Sequence, residues 1–337
     1  MVDLILIIPI VICFFVTLFV TPIWIKKARR IELMWEDVNK IDRPKVAGSG
    51  GLIVILGFVI GVLIYIAYRV FYLGQANNFL VEIFALLTVV LILGGVGLID
   101  DLLGWRHGGL RIRTRLVLVA LAAIPLVVIN AGRSNVAIPF FGNLELGIFY
   151  PLFFIPLGIM GASTTFNFLA GFNGEEAGQG IILLSALALV AYLTGSGWIG
   201  IILLCMVASL LAFLIFNFYP AKIFPGDSLT YVVGGLIAIV AIIGNFERIA
   251  LFFFIPYILE TGLKLKGGLV KHSFGEPIYK GYLNLRYKKF YSLNHIAIYL
   301  LNKSGLKATE RRVVVSIWCF QLIIVIIGFL IFREGLF

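Results

Sequence analysis

The chain is dominated by apolar runs, most of them close to the length of a membrane-spanning helix. A helix that crosses about 30 Å of hydrocarbon needs roughly 20 apolar residues, and about ten segments of this sequence approach that length. Backbone groups inside a bilayer must pair within their own segment, which favours helices. The sequence therefore predicts an all-α polytopic membrane protein that forms a single domain over residues 1–337. The predicted spans are 4–25, 50–70, 80–99, 115–131, 149–168, 179–195, 198–218, 228–245, 249–265 and 313–332.

Composition excludes a soluble domain with a large core, because 61% of the residues are hydrophobic and only 13% are charged. The three cysteines are far apart in sequence and lie in apolar runs, which indicates neither a disulfide framework nor a zinc site. Asp3 precedes the first run and a basic cluster follows it. This is the reverse of the charge order of a cleaved signal peptide, so the run is expected to stay as a first span.

Basic residues are concentrated in four of the predicted loops. The loops after spans 1, 3, 7 and 9, together with the adjoining span ends at Arg115 and Lys264, hold 23 of the 27 lysines and arginines. By the positive-inside rule these loops face the cytoplasm and both termini face outward. The net charge of +10 thus suits anionic lipid and phosphate-bearing substrates at a membrane face, and it does not indicate nucleic acid. On the outer side, residues 132–148 alternate around a Gly-Asn turn and predict a small hairpin.

Two adjacent carboxylates, Asp100 and Asp101, follow the third apolar run. Desolvation and mutual repulsion both oppose their ionisation there. A divalent cation, the nearby arginines or a reaction that needs a poised carboxylate would compensate them. The alternative is that the pair only marks a wet helix end.

Three other cytoplasmic loops carry polar groups that suit phosphate or Mg²⁺. The glycine-rich turn 48–51, at the start of span 2, would offer free backbone N–H groups to an anion, or it is a flexible loop entry. Asp227 starts span 8, where it is an N-cap or an oxygen ligand for a hard cation. The loop after span 5 combines glycines with two asparagines and two glutamates, which a plain turn does not explain. These residues are Asn167, Gly171, Asn173, Gly174, Glu175 and Glu176.

The last cytoplasmic loop, about 266–312, lies between spans 9 and 10. It contains His272, which on its own is more typical of a surface histidine than of a ligand. The basic, aromatic run 286–291 suits an amphipathic segment that lies on anionic headgroups.

These motifs together resemble the polyprenyl-phosphate N-acetylhexosamine-1-phosphate transferase superfamily. The resemblance extends over essentially the whole chain. It is closest to the eukaryotic and archaeal branch that makes dolichyl-diphosphate-GlcNAc from UDP-GlcNAc and dolichyl phosphate. The motifs that carry it are Asp37-Val38-Asn39-Lys40, Asp100-Asp101 with Trp105-Arg106-His107, the segment from Asn167 to Gln179, and Phe224-x-Gly226-Asp227.

Within the superfamily, the sequence favours a GlcNAc-type donor. The bacterial peptidoglycan enzymes, which transfer phospho-MurNAc-pentapeptide, typically have aspartates at the positions of Ala170 and Asn173, and a histidine-rich last loop. In this chain residues 266–290 of that loop have one histidine, His272, and a second, His295, follows further along. Gly104 and Gly108 depart from the dolichol branch, which usually has Asn and Lys at those positions.

The resemblance implies a Mg²⁺-dependent transferase, with Mn²⁺ as a substitute ion. The lipid phosphate would attack the β-phosphorus of UDP-GlcNAc directly and release UMP; a covalent aspartyl-phosphate route is the alternative. Asn167 and Asp227 would hold the metal. Asp100 would act as base or position the lipid phosphate, with Asp101 supporting the acceptor or metal side. Asn173, Glu176, Gly171 and His272 would bind the donor, and Lys40, Arg106, Arg111 and Arg113 would contact phosphates.

The expected partners are UDP-GlcNAc, dolichyl or another polyprenyl phosphate and the lipid bilayer, with a homodimer as one arrangement. A cytoplasmic active site is expected in the plasma membrane of a prokaryote or archaeon, or in the endoplasmic reticulum of a eukaryote. The competing interpretations are a phospho-MurNAc-pentapeptide transferase, a lipid transporter or flippase, and a non-catalytic lipid-binding scaffold. A transporter is less favoured because its ionisable residues would lie near mid-span, whereas here they gather at one face.

Overall fold

The computed structural model describes residues 4–74, 79–138 and 142–336, and most of them are helical. The α-helices are α1 (Ile7–Arg30), α2 (Gly51–Ala67), α3 (Phe79–His107), α4 (Ile112–Leu121), α5 (Ile124–Val128), α6 (Ile155–Phe168), α7 (Glu175–Leu193), α8 (Gly197–Asn217), α9 (Asp227–Gly244), α10 (Glu247–Phe253), α11 (Ile255–Lys266), α12 (Leu293–Lys303), α13 (Glu310–Ile331) and α14 (Arg333–Leu336). The strands are β1 (Met34–Glu36), β2 (Lys45–Ala47), β3 (Asn135–Ile138), β4 (Gly142–Glu145), β5 (Glu276–Ile278) and β6 (Tyr282–Asn284).

Within the described residues, eight helices are long and apolar enough to cross a membrane, which confirms the polytopic class. The other two predicted spans, 115–131 and 249–265, are each broken into two helices. Pro125 and Pro256 lie at the start of the second helix of each pair. A proline there lacks the N–H that would continue the preceding helix. The count of ten spans stays a prediction.

Helix α9 forms the centre of the bundle, and every residue from Ser228 to Ile243 is buried. It packs against α2, α3, α6, α7 and α10. Two adjacent glycines permit the closest of these contacts. A Cβ atom on Gly234 would lie 2.4 Å from the carbonyl oxygen of Ala162, and one on Gly235 would lie 2.2 Å from Leu93 Cδ1. A helix that is apolar on all sides is stable only when it is surrounded in this way.

Helix α3 continues beyond the apolar run that predicted it. It has 29 residues, or about 43 Å at 1.5 Å per residue, which exceeds the roughly 30 Å of a hydrocarbon core. Asp100 and Asp101 therefore lie within a helix and do not follow it. The fall in hydropathy after Ile99 marks the end of the apolar run, not the end of the helix, because no proline interrupts residues 100–107.

The glycine-rich turn at the start of α2 is neither free nor flexible. The N–H groups of Gly50 and Gly51 donate to the carbonyl oxygens of Phe224 and Pro225, at 2.9 and 2.8 Å. The expectation that these N–H groups are available to an anion was therefore wrong. These hydrogen bonds instead fix the loop between α1 and α2 against the segment that leads into α9.

Three small antiparallel hairpins, β1–β2, β3–β4 and β5–β6, add to the helical class within the described residues. The predicted hairpin is confirmed as β3–β4, with Asn135 opposite Glu145 and Ile138 opposite Gly142. Its tip, residues 139–141, lies outside the described residues. The β1–β2 and β5–β6 hairpins were not predicted, because each has strands of only three residues.

Candidate active site

One cleft of about 1010 Å³ collects residues from all five polar loops that the sequence singled out. The cleft lies at one end of the bundle, where α3 and α6 end and where α4, α7 and α9 begin. The polar groups of separate loops therefore form one site. Its lining includes Asp37, Ser49, Asp100, Asp101, Arg115, Asn167, Gly171, Asn173, Glu176, Asp227, Tyr231, Lys264 and His272.

Asp101 holds the start of α9. Its carboxylate accepts hydrogen bonds from the backbone N–H of Asp227, at 2.7 Å, and from the hydroxyl of Ser228, at 3.0 Å. This close approach requires Gly97, one turn earlier on α3, because a Cβ there would lie 2.5 Å from the backbone of Ser228. It also requires Gly226, whose φ is +74° and where a Cβ would lie 2.3 Å from the Asp101 carboxylate.

This arrangement answers whether Asp227 is merely an N-cap. Helix α9 begins at Asp227 with Gly226 at the N-cap position, which provides no side-chain cap. The carboxylate of Asp101 satisfies the exposed N–H groups in its place. The side chain of Asp227, 29% exposed, is thereby left to face the cleft.

Asp100 is held by three partners, Tyr231, Leu110 and Arg115. Its carboxylate accepts from the hydroxyl of Tyr231 at 3.0 Å and from the backbone N–H of Leu110 at 2.8 Å. Arg115 Nε lies 2.7 Å from Asp100 Oδ2, and Arg115 Nη2 lies 3.9 Å from Asp227 Oδ2. One guanidinium therefore lies between two carboxylates.

We call Asp100, Asp101, Asp227, Arg115 and Asn167 the acidic half of the cleft. The group holds three carboxylates and one guanidinium, which contacts Asp100 and Asp227, so it carries more negative charge than its own cation balances. Asn167 Nδ2 donates to Asp227 Oδ1 at 2.6 Å, which fixes the carboxylate without neutralising it. Such a surplus in a low-dielectric setting is costly unless a cation joins it.

The residues of the acidic half fit Mg²⁺ of the kind that bridges a protein and a substrate. Among the described residues, no three His, Cys, Asp or Glu side chains are arranged to hold a metal on their own, since the Asp101 oxygens face the start of α9. Mg²⁺ commonly uses one or two protein oxygens together with substrate phosphates and water. Asp227 and Asn167 supply ligands of that type.

A second group of charged residues, to which the lining residues Asp37 and Asn173 belong, is paired within the protein. The ammonium of Lys40 contacts the carboxylate of Asp37 and lies 3.3 Å from Glu310 Oε2. Asn173 donates from its backbone N–H to Glu310, at 2.8 Å, and from its side-chain amide to Asp37, at 3.0 Å. We call these four residues the paired half. Lys40 was predicted to contact phosphate and Asn173 to bind the donor. In the structure both form these contacts within the protein, and Asn173 is only 3% exposed.

The loop before α7 is fixed from both sides. The carboxylate of Glu176 accepts from the N–H of Gly171 at 3.0 Å, and the Gly171 carbonyl accepts from the side chain of Asn39 at 2.7 Å. Glu176 thus fixes the loop before α7. Gly171 has a φ of +121°, and a Cβ there would lie 2.6 Å from the ring of Phe274, so glycine is required.

His272 lies at the rim of the cleft. Its ring stacks on Phe274, with the ring centres 5.7 Å apart. Partial burial, with Arg286 and Lys264 nearby, lowers the pKa of His272. The histidine is therefore neutral at physiological pH and can offer a hydrogen bond without adding charge.

The arginines divide differently from the prediction. Among the described side chains, Arg115 lines the cleft, whereas Arg111 and Arg113 are exposed and do not. The side chain of Arg106 lies outside the described residues. Arg115 lies inside α4, one turn after Arg111, the residue that precedes the helix. Arg111, Arg113 and Arg115 differ only in their position along this segment, and the sequence did not show which face of α4 lines the cleft.

Three further residues escaped the sequence reasoning. Tyr231 and Lys264 lie inside the predicted spans 228–245 and 249–265, where no motif singled them out. Glu310 lies 270 residues from its partner Lys40, so no local pattern could connect the two.

Comparison with known proteins finds one matching family and several relatives. A model of glycosyl transferase family 4 matches residues 83–245. The chain is 35% identical over 327 residues to a protein from Saccharolobus solfataricus that is provisionally named a UDP-N-acetylglucosamine--dolichyl-phosphate N-acetylglucosaminephosphotransferase, covering 96% of this chain and 95% of the relative.

Two further relatives represent different branches. A UDP-N-acetylglucosamine--dolichyl-phosphate N-acetylglucosaminephosphotransferase from Dictyostelium discoideum is 29% identical and covers 66% of this chain and 62% of its own length. A phospho-N-acetylmuramoyl-pentapeptide-transferase from Halalkalibacterium halodurans is 30% identical and covers 77% of this chain and 82% of its own length.

Proposed function

Because the chain belongs to glycosyl transferase family 4, we propose that it transfers GlcNAc-1-phosphate from UDP-GlcNAc to dolichyl or another polyprenyl phosphate. The names of the relatives from Saccharolobus and Dictyostelium support this donor and this acceptor. The observation that carries the proposal is the acidic half, where three carboxylates and one guanidinium line a cleft at one end of the bundle.

In the proposed reaction, an oxygen of the lipid phosphate attacks the β-phosphorus of UDP-GlcNAc. The bond between that phosphorus and the oxygen bridging the two phosphates breaks, and UMP leaves with the electron pair. A phosphate monoester with a second pKa near 6 is already largely dianionic at neutral pH. Direct attack therefore needs positioning and charge neutralisation more than a strong base.

Asp227 and Asn167 would hold Mg²⁺, which supplies neutralisation of the donor diphosphate and of the charge that develops on the leaving UMP. Asp101 positions Asp227 through the backbone of α9. Asp100, oriented by Tyr231 and Arg115, positions the lipid phosphate. Arg115 bridges Asp100 and Asp227 and would contact the phosphates that enter between them.

The paired half would act as a fixed wall for the nucleotide side of the donor. Asn173 and Glu176 shape the loop there, and His272 at the rim would cover the sugar. Lys40 is committed to Asp37 and Glu310, so it supports this wall in preference to binding phosphate. The basic loops at this end support a cytoplasmic orientation of the cleft.

A substrate panel tests the function. Purified protein would be mixed with Mg²⁺, polyprenyl phosphate and one of three donors: UDP-GlcNAc, UDP-GalNAc or UDP-MurNAc-pentapeptide. We expect release of UMP with UDP-GlcNAc at the highest kcat/KM. A preference for the pentapeptide donor would move the protein to the function named for the Halalkalibacterium relative, and no UMP with any donor would reject transfer altogether.

Orientation needs a separate test with single cysteines. Lys222, at the cleft end, and Thr194, between α7 and α8, are both exposed. In a variant without Cys13, Cys205 and Cys319, we expect a membrane-impermeant thiol reagent to label Lys222→Cys only from the cytoplasmic side. The same reagent should label Thr194→Cys only from outside. Labelling of both from one side would contradict the orientation.

A further inference from the structure

Lys264 is a buried lysine to which the proposed reaction gives no role. It lies near the end of α11, is 8% exposed and lines the cleft. Its ammonium donates to the hydroxyl of Ser273 at 2.6 Å and to the carbonyl oxygen of Lys271 at 3.1 Å. Both acceptors belong to the short loop that contains His272. Lys264 therefore binds this loop from beneath.

The contacts continue from the loop to the acidic half. The Ser273 hydroxyl donates to the carbonyl oxygen of Phe168 at 3.2 Å. Phe168 is the last residue of α6, and the residue before it, Asn167, donates to Asp227. One series of hydrogen bonds thus links Lys264, the loop over the cleft and the end of the helix that carries Asn167.

The lysine is itself fixed by a buried acid. Glu260, one turn earlier on α11, is fully buried, and its Oε1 lies 3.9 Å from the ammonium of Lys264. The other oxygen of Glu260 accepts from the backbone N–H of Leu293, at 2.7 Å, where α12 begins. A buried ion pair is weak evidence of added stability, because apolar side chains of similar volume often serve as well. Apolar side chains would not orient the loop, because they could not donate hydrogen bonds to Ser273 and Lys271.

We propose that Lys264 is a positioning residue that sets the loop 271–274 over the cleft and thereby determines affinity for the sugar nucleotide. The proposal rests on the proposed function, because it assumes that the loop covers the donor. Lys264 acts through Ser273 and Lys271 and not on the reacting atoms. The acceptor phosphate is positioned by other residues, so its affinity should be independent of Lys264.

The test measures KM for each substrate separately in Ser273→Ala and Lys264→Met. Lys266→Met is the matched control, since Lys266 is an exposed lysine two residues further along the same helix. Loss of charge-assisted hydrogen bonds should raise the KM for UDP-GlcNAc about tenfold. The KM for polyprenyl phosphate and kcat should stay within about twofold. The double variant should not exceed the larger single effect, because both changes remove one link.

Folding is controlled by two more variants. Lys264→Met leaves Glu260 without its cation, so Glu260→Gln with Lys264→Met removes the charges together and should give the same donor KM. Lys264→Arg retains a cation and should restore the donor KM most of the way to that of the unaltered protein. An unchanged donor KM in Ser273→Ala, or equal losses for donor and acceptor, would overturn the proposal. If the unaltered protein released no UMP, the proposed function would fail with it, whereas an active protein with an unchanged Ser273→Ala variant rejects only this inference.

Discussion

The paired half and the acidic half differ in how their charges are balanced. In the paired half, Asp37, Lys40 and Glu310 bond to one another and to Asn173, so each charge has a protein partner. In the acidic half, Asp100 and Asp227 share a single guanidinium, and Asp101 is bonded to uncharged groups at the start of α9. Asp37, Asp100 and Glu310 are each 2–3% exposed, whereas Asp227 is 29% exposed to the cleft.

The difference separates a scaffold from a reaction site. Charges that are satisfied within the protein fix the geometry of loops far apart in sequence, and they leave nothing for a ligand. Charges that the protein leaves unbalanced are stable only when a ligand supplies the opposite sign. The comparison predicts that substitution of Asp227 reduces activity at little cost in stability, and that substitution of Glu310 does the reverse.

The largest effect is expected from Asp227→Asn. It removes a carboxylate from the acidic half while the cap from Asp101 to the backbone of α9 stays in place. We expect kcat to fall by about 10³-fold, as for loss of a main electrostatic stabiliser. The thermal unfolding midpoint should not fall, since a repulsive charge is lost. UMP release and a thermal melt on the same preparation measure both quantities, and turnover within tenfold of the unaltered protein would contradict a role in catalysis.

Arg115→Met should have the next largest effect. The change leaves Asp100 and Asp227 without the guanidinium between them, so phosphate positioning is lost and kcat/KM should fall by about 10²-fold. Arg111→Met is the matched control, because Arg111 is exposed one turn away, and it should leave kcat/KM within about twofold. Equal losses in the two variants would mean that Arg115 acts only through general surface charge.

Glu310→Gln sharpens the comparison from the paired half. The amide still accepts from the N–H of Asn173 but no longer pairs with Lys40. We expect a loss of about 1–3 kcal/mol in stability, typical of a weakened buried hydrogen bond to a charged group, with kcat changed less than about fivefold. Chemical denaturation in detergent micelles would measure the first quantity. A collapse of kcat without loss of stability would place Glu310 in the reaction and break the division.

The smallest effect concerns pH and His295, which is 1% exposed. Burial lowers its pKa below the usual value near 6.5. The unfolded chain therefore binds a proton more readily, and stability should fall as pH drops through 6.5 toward 5. His295→Gln should flatten this part of the profile by about 1 kcal/mol or less. If the unfolding midpoint changed with pH equally in both proteins, His295 would not contribute to the pH dependence of stability.

The sequence predicted those features that depend on local pattern. Apolar runs identified eight of the ten predicted spans as long apolar helices of the described residues, alternation identified the β3–β4 hairpin, and Asp100 and Asp101, singled out for their costly position, both line the cleft. Each of these signals lies within a short segment, where periodicity and desolvation are sufficient to interpret it.

The features that the sequence did not reveal depend on contacts between distant segments. Asp101 was expected to serve the acceptor or the metal, yet its oxygens cap α9, which begins 126 residues later. Lys40 was expected to bind phosphate, yet it pairs with Glu310, 270 residues away. The relative placement of helices decides which partner a charged side chain meets, and no local pattern encodes it.

The most direct test of the account is the dependence of UMP release on Mg²⁺. The rate would be measured with UDP-GlcNAc and polyprenyl phosphate after treatment with a chelator and then at rising Mg²⁺, for the unaltered protein, Asp227→Asn and Glu310→Gln. We predict no turnover without Mg²⁺, saturable recovery in the unaltered protein and in Glu310→Gln, and almost none in Asp227→Asn. Full turnover in the presence of the chelator, or recovery of Asp227→Asn at ordinary Mg²⁺, would contradict the claim that the unbalanced carboxylates form the reaction site.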